Sequence, residues 1–328
     1  MVFYPENVPR AGRLQQLVDS MANMQTDIKH DAEQMDEKNK QIRPLIEKML
    51  KEKGIDSIDD LIRKSKEKMT DDEKKKYDAL IAAAKASKAG FDYTYFVAGV
   101  LMFPEGVILT GKLALAAVRF VHRLTIVQKL ASWIRTAESG SAAAAEAAAN
   151  ELEKAALEAE KAAQEGGAAG EAGEGVAQVA SRWAKVAKFL KVIGAIGFVV
   201  TIIVGIIEAI EGKKQKDKLI EAIHGAQPAR LCIAFFKREA TNLMQQLELF
   251  STWLDFKVGE DKDDVLADRL AQKIVKNISV ENAKIDWSVL ETQLETQDRS
   301  SAGSSYYADA DLFHDEVVKR ALGSMKSE

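Results

Sequence analysis

Apolar residues return every three or four positions near both ends of this 328-residue chain. Setting Leu14 at position a of a heptad places Leu14, Met21, Ile28, Met35, Ile42 and Met49 at a, and Leu17, Met24, Asp31, Lys38 and Leu45 at d. Only Asp31 and Lys38 interrupt this seam, so residues 13–52 are predicted to form one long helix that packs against another helix. Its methionines suit a seam that can repack. Pro44 lacks a backbone donor and is expected to kink or break the helix near residue 43. Gly54 is expected to stop it. A second seam, Ile233, Phe236, Ala240, Leu243, Leu247, Phe250 and Leu254, predicts a helix over about 229–256 as a partner for the first.

Shorter elements lie between and beyond these seams. Ser57 is an N-cap for a helix over "SIDDLIRKSKEKM". Thr70 and Glu73 form a capping box for "TDDEKKKYDALIAAAKASKAG", with Gly90 as its stop. After residue 258, "DDVLADRLAQKIVKNI" and "DADLFHDEVVKRAL" read as helices and "DRSSAGSS" as a loop. No segment requires a strand, and the predicted fold is all-α, an elongated bundle of coiled-coil-like helices around a central hydrophobic element. The expected organisation is a charged arm (1–90), an apolar and basic amphipathic block (91–135), an Ala/Gly-rich connector (136–175), a hydrophobic helix (176–212), a return bundle helix (213–258) and an acidic helical tail (259–328).

The hydrophobic helix is the chain's most apolar feature. In "FLKVIGAIGFVVTIIVGIIEAI", residues 189–210, no charge falls between Lys191 and Glu208. A helix of that length reaches roughly 33 Å, against about 30 Å of bilayer hydrocarbon. Its candidate membrane-inserting residues are Phe189, Val192, Ile193, Ile196, Phe198, Val199, Val200, Ile202, Ile203, Val204, Ile206 and Ile207. Those between Lys191 and Glu208 contribute about −0.3 to −0.6 kcal/mol each toward insertion. A helix apolar on every face belongs either in a bilayer or in a protein core.

Net charge is −4, which gives no overall drive toward nucleic acid. Basic residues nevertheless cluster beside the apolar blocks. Lys112, Arg119, Arg123 and Lys129 lie in a stretch without acids, and Lys185, Lys188, Lys191, Lys213 and Lys214 flank the run at 189–210. Such clusters fit anionic lipid headgroups. Pro104 and Gly106 form a turn within the first block, and Gly166 and Gly167 open a Gly-rich linker; these four positions are the candidate hinges.

Catalytic motifs are absent from the sequence. "GVILTGKL" falls one letter short of a phosphate-binding loop, with Leu113 where a magnesium-binding hydroxyl belongs and bulky residues in the loop. The four histidines have no ligand spacing, "DADLFHDE" lacks the glycine of a calcium loop, and the single cysteine, Cys232, lies in an apolar run where a buried inert thiol is expected. Neither catalytic residues, nor a metal, nor a cofactor is expected. The N-terminal "MVFYPENVPRAGRLQQ" lacks the basic and apolar regions of a secretion signal. The expectation is therefore synthesis as a soluble cytoplasmic chain, with any release leaderless and action at a membrane.

Two heptad-bearing helices, at 13–52 and 229–256, flank the hydrophobic helix at 189–210. That arrangement resembles the α-helical pore-forming toxins of the cytolysin A type, including their insecticidal and enterotoxin relatives. The resemblance is architectural and covers about two thirds of the chain. It implies a soluble monomer that hides its hydrophobic element against a helical bundle, then swings it into a bilayer and assembles into a homo-oligomeric ring, with or without a second protein component. Two features depart from that family: a second hydrophobic block at 93–134, and the Ala/Gly-rich connector between the blocks. A permanently anchored helical membrane protein and a soluble coiled-coil scaffold with a buried hydrophobic helix fit the same residues.

Overall fold

The computed structural model describes residues 7–52, 54–56, 124, 127–136, 213–260, 262–279 and 287–300, with isolated helical or capping positions at 60, 63, 66–67, 70–71, 74–75, 78, 147 and 150. The fold is all-α, and among the described residues there is no strand. Four helices are complete: α1 (Asn7–Glu52), α2 (Lys213–Val258), α3 (Asp264–Ser279) and α4 (Trp287–Ser300).

The α1 helix follows the sequence pattern in its first half and departs from it in the second. Every a position from Leu14 to Met49 is buried, as are Leu17 and Met24 at d. Beyond Ile28 the buried stripe leaves d for the next residue, with Ala32 and Ile46 in the core and Asp31 and Lys38 only half-buried. A straight helix drifts by about 20° per heptad, and this shift of one position follows that drift. The two polar d residues thus stand at the edge of the interface.

The expected break at Pro44 does not occur. Helix α1 continues to Glu52 through the proline. Pro44 faces outward, where water can solvate the carbonyl left without its helical partner. The helix ends where Gly54 was expected to end it. Gly54 has a φ of 65°, its N–H bonds the Lys51 carbonyl at 3.1 Å, and the Ile55 N–H bonds the Leu50 carbonyl at 3.0 Å. Ile55 and Leu50 are both buried. This is a Schellman cap with its hydrophobic contact, and the positive φ explains the glycine.

The second long helix begins well before residue 229. It starts at Lys213 and, like α1, has 46 residues. All seven predicted seam residues from Ile233 to Leu254 are buried, and Leu219, Ile223 and Ala226 extend the stripe upstream. The two long helices run parallel and in register. Arg230 Nε donates to Ser20 Oγ at 2.8 Å, Thr241 Oγ1 to Asp31 Oδ2 at 3.2 Å, and Lys48 Nζ to the Val258 carbonyl at 2.6 Å, each pair 210 residues apart. Lys237 pairs with Asp27 at the same offset. Each helix is about 69 Å long.

A helical stretch at 127–136 packs on this pair through Val127, Leu130, Ala131, Trp133 and Ile134. Gln128 bonds Asp36 at 2.7 Å and Arg135 pairs with Glu33 at 3.6 Å. Partner numbers fall as its own rise, so it runs against α1. Within α2, every residue from Ala229 to Phe236 is buried. At this level α2 belongs to a core shared with Leu14–Ile28 of α1, Leu130, Trp133 and Ile134, and Leu290 of α4.

A tight turn joins α2 to α3. A Cβ on Gly259 would stand 2.4 Å from the Asp255 carbonyl oxygen, so the close backbone approach requires glycine. Asp263 caps α3, its Oδ1 accepting the N–H groups of Val265 and Leu266 at 3.0 Å each. Ala267, Ala271 and Ile274 form the buried face of α3. Thr70 stands immediately before helical Asp71, and its carbonyl accepts the Lys74 N–H at 2.9 Å, so a helix starts there as the sequence implied; Ser57, Glu73 and Gly90 lie outside the described residues.

Candidate functional site

Asn7 Nδ2 donates to Gln215 Oε1 at 3.0 Å, which brings the N-termini of α1 and α2 to one end of the pair. Neither helix carries an acid in its first turn. The positive ends of two helix dipoles therefore coincide. Helix α2 opens "KKQKDK": Lys213, Lys214, Lys216 and Lys218, with Asp217 as the one acid among them. Lys216 is half-exposed and Lys218 exposed. Cations at a helix N-terminus are unfavourable by about 0.3–1 kcal/mol each. A local rule broken in this way, with no gain to the fold, marks a place where function is to be sought.

Just behind this end lies a buried charge cluster. Asp298 of α4 accepts Arg13 Nη2 at 2.5 Å and Arg230 Nη1 at 2.8 Å, both on Oδ2. The three side chains are 3%, 1% and 4% exposed. Arg13 also donates to Gln16 at 2.8 Å, and Arg230 to Ser20. Asp298 Oδ1 and Arg13 Nε are buried without a hydrogen-bond partner. One carboxylate thus faces two guanidinium groups with half of its acceptor capacity unused.

This cluster was not foreseen from the sequence. Asp298 opens "DRSSAGSS", read above as a loop, whereas Asp298, Arg299 and Ser300 are the last residues of α4. Arg13 precedes the seam residue Leu14 and Arg230 lies next to apolar "LCIAFF", and neither spacing carries a signature. Burial of arginine beside a seam was the only available hint.

Of the basic positions named from sequence, Lys129 is half-buried in the packed stretch 127–136, and Lys213 and Lys214 lie in the first turn of α2. Lys112, Arg119, Arg123, Lys185, Lys188 and Lys191, the hinges Pro104, Gly106, Gly166 and Gly167, and the whole run at 189–210 with its membrane-inserting residues lie outside the described residues. Among the described residues no helix is long and apolar enough to cross a membrane, and no three His, Cys, Asp or Glu side chains gather as metal ligands. Cys232 is fully buried in the core, and burial pushes its thiol pKa up, which keeps it protonated and unreactive.

Asp31 shows how the seam tolerates charge. Burial, opposed by the Thr241 hydrogen bond and reinforced by Asp27, holds its carboxyl above the usual range. A raised folded-state pKa means that protonation favours folding. Its stabilising share is fully present below the unfolded pKa of about 3.9 and is lost as pH rises through the folded value. Asp31→Asn removes the charge and keeps an oxygen for Thr241. It is expected to be more stable than the parent at pH 7 by a fraction of a kcal/mol, small because the side chain is half in water. The gain should vanish near pH 4, as urea midpoints at the two pH values will show.

Comparison of the chain with known protein families, with characterised proteins and with solved structures finds no match.

Proposed function

We propose that the chain is a membrane-permeabilising α-pore-forming protein: a soluble monomer that exposes a hydrophobic helix or hairpin and oligomerises on an anionic bilayer. One observation carries this proposal. The uncharged run between Lys191 and Glu208 ends at Ile207, six residues before Lys213, so it leads directly into the end of α2 where two helix N-termini meet and the sequence carries four lysines. A bilayer with anionic headgroups offers that end both partners it needs, hydrocarbon for the run and phosphate for the lysines. The soluble state holds its cores in the seams, and lipid shifts the balance by its differential affinity for the inserted state.

The test uses dye-loaded vesicles, one set zwitterionic and one anionic, to which the protein is added without detergent. Soluble protein is expected to bind and release dye, with stronger release from anionic vesicles. Changing Lys213, Lys214, Lys216 and Lys218 together to Gln should weaken anionic-vesicle binding by about 1 kcal/mol per lysine. The same change should leave folding stability equal or slightly higher, because it removes cations from a helix N-terminus. Loss of binding through misfolding is thereby distinguished from loss of headgroup contacts. Soluble protein that neither floats with vesicles nor releases dye overturns the proposal. That outcome favours a scaffold, which the parallel pairing of α1 and α2 supports without any membrane.

A further inference from the structure

We infer that α4 is a releasable clasp, held on the α1–α2 pair by Asp298 and able to lift away while the pair stays folded. Among the described side chains of α4 the inward stripe is short. Leu290 is buried, Leu294 is partly buried, and Asp298 completes the row at spacings of four. The remaining described side chains of α4 are half-buried or exposed, and Val289 is 50% exposed. Among these described side chains the apolar grip on the core is small, which gives the buried carboxylate a large share in whether the helix docks.

The carboxylate is poorly served for a permanent core group. Both of its bonds fall on Oδ2, Oδ1 has no partner, and Arg13 Nε has none. Two cations share one anion, so the docked cluster keeps a net positive charge away from water. Such a half-satisfied network stabilises less than well-packed apolar residues of the same volume. Lifting α4 rehydrates Asp298 and opens both arginines to solvent, so the cost of the docked state is recovered on release. The arginines are set on α1 and α2 independently of α4, by Gln16 and Ser20. A docking surface that is pre-organised without its occupant is what a reversible clasp requires. The long seams of α1 and α2 supply the fold that remains.

Hydrogen exchange on the full chain tests this, with no reference to membranes. In Asp298→Asn, the amides of 287–300 should lose protection on the order of 100-fold, as expected when one partner of a buried ion cluster is neutralised. Amides of α1 and α2 should keep theirs. A second variant, Arg13→Met/Arg230→Met/Asp298→Leu, replaces the cluster by apolar side chains and should protect α4 more strongly than the parent. Unchanged protection of α4 in Asp298→Asn would overturn the inference. So would loss of protection throughout α1 and α2, which would make α4 an inseparable part of the core. A triple variant that folds with α4 less protected than the parent would also overturn it. None of these outcomes depends on dye release, so the clasp and the pore proposal fail separately.

Discussion

Phe236→Ala is expected to lower the unfolding free energy by about 3–5 kcal/mol, the largest loss of any single truncation in the long helices. Phe236 is fully buried within the stretch of α2 that has no exposed face. Its ring meets Phe235 edge to face at 5.8 Å, and its cluster joins residues from α1, α2, the 127–136 stretch and α4. Truncation leaves a cavity inside a cluster built from four elements, and a core fixed by the long paired helices cannot easily collapse into it. Phe236→Leu keeps most of the volume and should cost only about 1 kcal/mol. The check is a urea titration read at an unchanged m-value. A loss below about 1 kcal/mol for the alanine variant would mean that the four elements do not close around this residue.

The sequence carried the paired helices well because they depend on repeated local spacing. The a positions from Leu14 to Met49 and the seam residues from Ile233 to Leu254 are in the core, and Gly54 is at the cap. Where the spacing failed, a tertiary partner had decided the outcome. The seam that predicted α2 begins at Ile233 and placed the helix start near residue 229, whereas the helix begins at Lys213, because Leu219, Ile223 and Ala226 pack into the shared core. Pro44 reads as a breaker, yet its outward position lets the helix pass. Helix α4 has too few apolar residues to announce itself. The Arg13–Asp298–Arg230 cluster joins residues 285 and 68 positions apart. No local pattern encodes such a meeting. The drift of the α1 stripe from d to the next position is a property of helix geometry that a fixed heptad template conceals.

Val200→Arg should reduce dye release from anionic vesicles roughly 100-fold while leaving vesicle binding intact. Val200 lies at the centre of the uncharged run between Lys191 and Glu208. An arginine at the middle of a membrane-spanning helix costs about 2.5–3.5 kcal/mol on insertion scales, and the valine it replaces contributes a few tenths in the opposite direction. A net cost of about 3 kcal/mol corresponds to two powers of ten in the insertion equilibrium. Lys191 and Glu208 carry no such cost, because charges near the ends of a span reach the headgroups. Val200→Leu keeps the run apolar and should release dye as the parent does. Flotation with anionic vesicles should be the same for all three proteins, since the lysines at the start of α2 are untouched. A Val200→Arg protein that binds vesicles without opening them would therefore separate attachment from insertion and assign insertion to this run. Undiminished release would take the run out of the bilayer and leave the second apolar block, 93–134, as the inserting element. A variant that no longer folds in water would place Val200 in the core of the soluble state, where an unpaired charge is just as costly, and the flotation and dye release of the parent protein would then separate the pore-former from the scaffold.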